Sequence, residues 1–275
     1  MSEPLDPGIE TDLDGRLTYG RYLRLDRLLD CQSPVSDSHD EMLFIVIHQA
    51  SELWLKLMIH ELRAARAQIV ADELQPGFKM LARVTRIQAQ MIQSWDVLST
   101  LTPADYLAFR HRLGPASGFQ SHQYRLVEFL LGNRQPAALA VHRQTPAIHA
   151  ELATELARPS LYDEALRLLA RRDFAIPAAC LERDWSECHQ PQASVRAAWG
   201  TIYRNATAHW DLYELAEELV DLEDGFRQWR FRHVTTVERI IGRRRGTGGS
   251  SGVDYLNRAL DVTLFPELWE VRTEL

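Results

Sequence analysis

Apolar residues recur at steps of three and four along most of this chain, the spacing of one face of an α-helix. Between residues 41 and 72, Phe44, His48, Ser51, Leu55, Met58 and Leu62 share such a face. Later, Leu212, Leu215, Leu219, Leu222, Phe226, Trp229, His233, Val237 and Ile240 continue a stripe for more than seven turns, at about 3.6 residues per turn. Thr102-Pro103-Ala104-Asp105 reads as an N-cap, a proline at the first helical position and an acidic residue in the first turn. It opens a short helix through Leu113, stopped by Gly114-Pro115. The pattern predicts further helices over about 80–101, 119–131, 136–157, 161–172, 192–204 and 253–264. No window alternates with period two, and no internal repeat is visible. The expected fold class is all-α: a single-domain bundle of long helices over 17–275, after a polar, flexible segment over 1–16.

Composition narrows the function. With 45% hydrophobic and 25% charged residues the chain is globular, not disordered. A formal net charge of -7 excludes the basic footprint of a nucleic-acid binder. No uninterrupted apolar run approaches the ~20 residues of a membrane span, and the first residues lack the pattern of a signal peptide. Cys31, Cys180 and Cys188 are odd in number and far apart, which suits neither a disulfide framework nor a zinc site. These features describe a cytoplasmic protein that handles a small molecule, with no nucleic-acid or membrane partner.

The candidate chemistry lies in residues that break the apolar pattern. His48 and His233 stand on the stripes of the two longest helices. A lone histidine on such a face is usually a packed residue bonded to a carbonyl. Two of them, in a bundle whose core can hold a cofactor, point to a metal or haem. Without carboxylate-rich Glu-x-x-His pairs, a haem with one protein ligand and apolar walls fits better than a di-iron site. Tyr106 and Arg110 are four apart and share a helix surface, suited to clamping a carboxylate. On spacing alone a solvated arginine over a packed tyrosine is the better explanation. Residues 246–252, Gly-Thr-Gly-Gly-Ser-Ser-Gly, follow a helix and lack the ending of a phosphate-binding loop. They read either as a mobile lid over a polar ligand or as a plain surface loop.

These segments together resemble the tryptophan 2,3-dioxygenase family. The resemblance rests on Leu17-Thr-Tyr-Gly-Arg-Tyr-Leu23, His39-Asp-Glu-Met-Leu-Phe-Ile45, His48-Gln-Ala-Ser-Glu-Leu-Trp54, Ser117-Gly-Phe-Gln-Ser121, Phe231-Arg-His-Val-Thr-Thr-Val237 and Gly246-Thr-Gly-Gly-Ser-Ser-Gly252, in family order across residues 17 to 275. It implies that His233 is the axial ligand of a haem b iron, and that His48 is the distal histidine facing the indole N–H, with Phe44 beside it. It further implies that Arg110 and Tyr106 clamp the substrate carboxylate, and that the Thr247 hydroxyl meets the amino-acid moiety. By the same resemblance, Ser117 and Gly118 are expected in a loop over the haem edge. The resemblance also implies that Tyr19, Tyr22 and Leu23 lie in a segment that enters a neighbouring subunit's pocket in a homotetramer.

The implied reaction opens the indole ring of L-tryptophan with dioxygen to give N-formylkynurenine. Ile47, Ala50, His122 and Arg243-Arg244-Arg245 depart from the residues expected of bacterial members. They leave room for a relative that inserts one oxygen into tryptophan or a methylated tryptophan to form an oxindole. A non-catalytic haem sensor is a third possibility, against which the carboxylate clamp argues.

Overall fold

The computed structural model describes residues 6–275. Part of the segment expected to be flexible, residues 1–5, therefore lies outside the described residues. The described residues form thirteen α-helices, short 3-10 turns and no strand. Two short helices come first, α1 (Tyr19–Leu23) and α2 (Leu25–Leu28). The frame is built from α3 (Glu41–Ala71), α4 (Leu74–Leu98) and α11 (Trp210–Ile241). Between them run α5 (Pro103–Arg110), α6 (His122–Leu131), α7 (Pro146–Leu156), α8 (Leu161–Arg171), α9 (Ala178–Leu181) and α10 (Ala193–Arg204). The chain closes with α12 (Val253–Leu260) and α13 (Pro266–Glu270).

The long helices pack as the sequence pattern requires. Helix α4 lies between α3 and α11, and α6 and α8 cover other parts of α3. The core along this seam includes Leu55, Met58, Leu62, Leu81, Leu215, Leu219 and Leu222, all buried. By length and composition α3 would suit a membrane span, but Glu52 and Lys56 interrupt its apolar stretch. Its stripe instead fills the bundle.

Both stripes change character at one end. On α3, Leu55, Met58 and Leu62 are buried, whereas Phe44, His48 and Ser51 are only half-buried. On α11, Leu212 to Phe226 are buried, and Trp229, His233 and Val237 are not. The bundle is open there, and a cavity occupies the gap.

Boundaries differ from the pattern in places. Helix α4 begins at Leu74, six residues before the expected start, because Pro76 falls in its first turn, where an N–H has no helical partner to lose. The expected 136–157 helix divides into a 3-10 turn, Pro136–His142, and α7, which begins with Pro146 at its first position. Helix α5 ends at Arg110, with a turn carrying the chain to Leu113. Its start follows the expected capping: Thr102 N–H and hydroxyl both donate to Asp105, at 2.9 and 2.6 Å.

Candidate active site

The cavity measures about 670 Å³, in the upper half of the usual small-molecule range of roughly 300–1,000 Å³. Helices α3 and α11 supply much of its wall, and α4, α5, α6, α12 and the 246–252 loop supply the rest of the helix and loop lining. His233, Trp229 and Val237 line it from α11; Phe44, Ile47, His48 and Ser51 line it from α3.

His233 is the half-buried base that this site presents from α11. Its imidazole stacks on Trp95, centroids 4.8 Å apart and planes within 13°, and packs at 5.4 Å against Trp229. Burial, and then the nearby His48, push its pKa down to about 4. The ring is therefore neutral at physiological pH, and no hydrogen bond contributes to its shift. An imidazole stacked on one indole and packed against a second, with a nitrogen lone pair left over, is the donor that a haem iron needs. The indole N–H of Trp95 is likewise buried without a partner. Aromatic and aliphatic side chains around His233, an imidazole with no hydrogen bond and no carboxylate acting on it, fit a haem with a single protein ligand. Among the described residues no group of three or more metal-ligating side chains is assembled, so a metal held by side chains alone is not the reading these residues favour.

His48 is held in a definite tautomer. Its Nδ1 is 2.7 Å from the Phe44 carbonyl oxygen, which can only accept, so Nδ1 carries the proton. Nε2 of the neutral ring is then an acceptor. Burial lowers its pKa, outweighing the opposing influence of the Phe44 carbonyl and Glu52. Phe44 packs on the same imidazole at 4.2 Å and against Tyr106 and Phe109 at 5.8 and 5.6 Å.

The expected carboxylate clamp is partly assembled. Tyr106 is buried and lines the cavity; burial raises its pKa, against the influence of Arg110. Arg110 stands behind it and is not among the lining residues; its guanidinium donates to the Arg245 carbonyl. Thr247 lines the cavity and donates to the Ala116 carbonyl. Ser117 and Gly118 also line it. A Cβ on Gly248 would lie 2.4 Å from Phe119 and 2.7 Å from Ser117, so the two loops touch at a place only glycine allows.

The N-terminal candidates stand apart. Tyr19, Tyr22 and Leu23 form α1, 76%, 71% and 40% exposed, and do not line this chain's own cavity. Conversely, Trp95, Tyr124, Arg125, Glu128 and Tyr255 line it without having been singled out by sequence. Trp95 lies on α4, whose apolar period predicted burial but not a cavity.

A family model described as tryptophan 2,3-dioxygenase matches residues 6–275. The chain belongs to the tryptophan 2,3-dioxygenase family. It is similar to the tryptophan 2,3-dioxygenase of Cupriavidus necator, 59% identical over 268 residues that cover 98% of this chain and 91% of the relative. A Bradyrhizobium relative of that name is 58% identical, covering 99% and 98% of the two chains. One from Bacillus thuringiensis is 56% identical, covering 98% and 97%. Membership makes the chain an oxidoreductase, and the dioxygenase name is shared by all three relatives.

Proposed function

We propose that this chain is a cytoplasmic haem-dependent dioxygenase that opens the indole ring of L-tryptophan to N-formylkynurenine. One observation carries the reading: a neutral imidazole with a free nitrogen, His233 on α11, and an imidazole with an acceptor nitrogen, His48 on α3, line one cavity. Ferrous haem, held through His233, would supply the chemistry that lets dioxygen react with the ring. Both oxygen atoms end in the product and the C2–C3 bond breaks, so no external reductant is consumed.

The protein's part is position and exclusion of water. His48 Nε2 accepts the indole N–H and fixes the ring's orientation. Phe44, packed on His48 and Tyr106, shields that flank from solvent. Arg110 with Tyr106 takes the carboxylate. Arg110 and Thr247 already donate to main-chain carbonyls; a substrate carboxylate replaces the acceptor of Arg110, and the Thr247 hydroxyl oxygen accepts from the substrate ammonium. Such positioning can supply several kcal/mol of the barrier reduction. Ser117 and Gly118 cover the haem edge. Tyr19, Tyr22 and Leu23, exposed on their own chain, complete the pocket of a neighbour in a homotetramer. One helical domain over residues 17–275 carries all of this, and three free thiols suit a reducing compartment.

The test is turnover of the reduced, haem-loaded protein with L-tryptophan under labelled dioxygen. The expected product is N-formylkynurenine carrying two labelled atoms. A product with one labelled atom, or stable oxygenated haem with no product, overturns the assignment.

A further inference from the structure

At the flank formed by α6 and α12, the cavity wall carries charge that the proposed substrate does not use. Arg125, Glu128 and Arg230 are 6%, 2% and 3% exposed. Both oxygens of Glu128 are committed: Oε2 to Arg125, Oε1 to Arg230 at 3.2 Å and to the Asn133 amide at 2.8 Å. One carboxylate thus serves two guanidinium groups, and the cluster keeps one buried positive charge. Nearby His142 offers no anion to offset it: its pKa is lowered by burial, then by His122, Arg125 and His149, which leaves a neutral ring. Arg258 lies over the Tyr255 ring at 5.7 Å and also lines the cavity. Among the described residues Arg125 makes an ion pair with no carboxylate other than Glu128. An uncompensated buried charge is costly unless an anion joins it.

Tyr255 shows where that anion would bind. Arg125 Nη2 donates to the Tyr255 hydroxyl oxygen at 3.3 Å. The phenol accepts there, which leaves its own proton to donate. Arg125 and Tyr255 both line the cavity. A charged fork beside a hydroxyl donor is a seat for a carboxylate. We infer that Arg125 and Tyr255, held by Glu128 and Arg230, form a carboxylate seat within the cavity that takes an acidic side group of the haem. This rests on the haem reading above. It is separate from the substrate clamp, which belongs to α5 and the 246–252 loop.

The experiment titrates the full-length, haem-free chain with ferric haem and with its dimethyl ester, following the Soret band. Haem loss from the loaded protein to excess apomyoglobin is timed in parallel. Wild type should bind haem at least tenfold more tightly than the ester. Arg125→Met should lose at least tenfold for haem, release it correspondingly faster, and bind the ester unchanged. Tyr255→Phe, at a half-buried position that tolerates the change, should show a smaller loss of the same selectivity and serves if Arg125→Met does not fold. Equal affinity of wild type for haem and ester overturns the seat while leaving the haem reading intact. So does a Tyr255→Phe chain with undiminished selectivity. A raised KM for tryptophan in Arg125→Met with unchanged haem affinity also overturns it, since the carboxylate would then be the substrate's. Wild type that binds neither porphyrin removes the haem reading and the seat with it.

Discussion

An imidazole ligates iron only as the neutral base, and burial gives both cavity histidines that form. Their environments then separate their roles. His233 has a free nitrogen beside two indoles, while His48 spends Nδ1 on Phe44 and keeps Nε2 for an N–H donor. His233→Ala should therefore strip haem or move the Soret band, whereas His48→Ala should keep haem and lose roughly ten- to a hundredfold in kcat/KM. Because His48 is held below the ordinary histidine pKa, its acceptor nitrogen survives through pH 6.5. The rate should fall only as pH drops through that lowered value, and a pH profile of His48→Ala should lack this limb. Arg110 is tested by comparing substrates. Removing a desolvated charged partner costs ~2–5 kcal/mol, so Arg110→Ala should lower kcat/KM for tryptophan by about two orders of magnitude or more. Lysine should rescue poorly, and wild type should turn over tryptamine far more slowly than tryptophan. Equal rates for the two amines would return Arg110 to a surface role.

Among the elements, the 246–252 loop joins α11 to α12 and rests on the Ser117–Phe119 segment. Gly248→Ala puts a methyl where the Phe119 ring now lies. The expected outcome is a KM for tryptophan raised roughly tenfold, with haem content and melting temperature close to wild type. Steady-state kinetics beside a melting curve check it. How legible these elements were depends on their length. The stripes of α3 and α11 name their helices outright, because seven or more turns of period cannot arise in a loop. Helices α9 and α13, of four and five residues, present no full period and went unread. At α4, Pro76 and Gly77 imitate a break and hide the true start. The site divides similarly. His48 and His233 interrupt stripes and were visible from the residues themselves. The roles of Thr247, Ser117 and Tyr22 came from the family resemblance alone. Trp95, Arg125 and Tyr255 come from three helices, one residue each, and only the packing brings them to one cavity.

For the whole molecule, the far end of the chain is fastened through one carboxylate. Glu267 is fully buried, accepting from Tyr162 at 2.9 Å, from His189 at 2.7 Å and from the Gln192 N–H at 2.9 Å. Burial alone would raise its pKa, but the donors from His189 and Gln192 hold it below the usual carboxylate value. A lowered carboxylate contributes stability above its unfolded pKa that is lost as pH falls through the folded value. Denaturant midpoints should thus decline below about pH 4.5. Glu267→Gln should cost about 2–4 kcal/mol at neutral pH and flatten that decline. The opposite terminus has a different consequence. Helix α1 shows its tyrosines to solvent and lends nothing to its own cavity, so each pocket of the proposed tetramer draws on two polypeptides. Genetically, such a protein has two complementation groups within one gene. An allele lacking Tyr19 and Tyr22 still offers an intact iron ligand. An allele lacking His233 still offers intact tyrosines to its neighbour. Co-expressed, the two defective alleles should assemble some whole pockets and yield more activity than the sum of each expressed alone. Mixed cultures of the two, whose subunits never meet, should show no such gain.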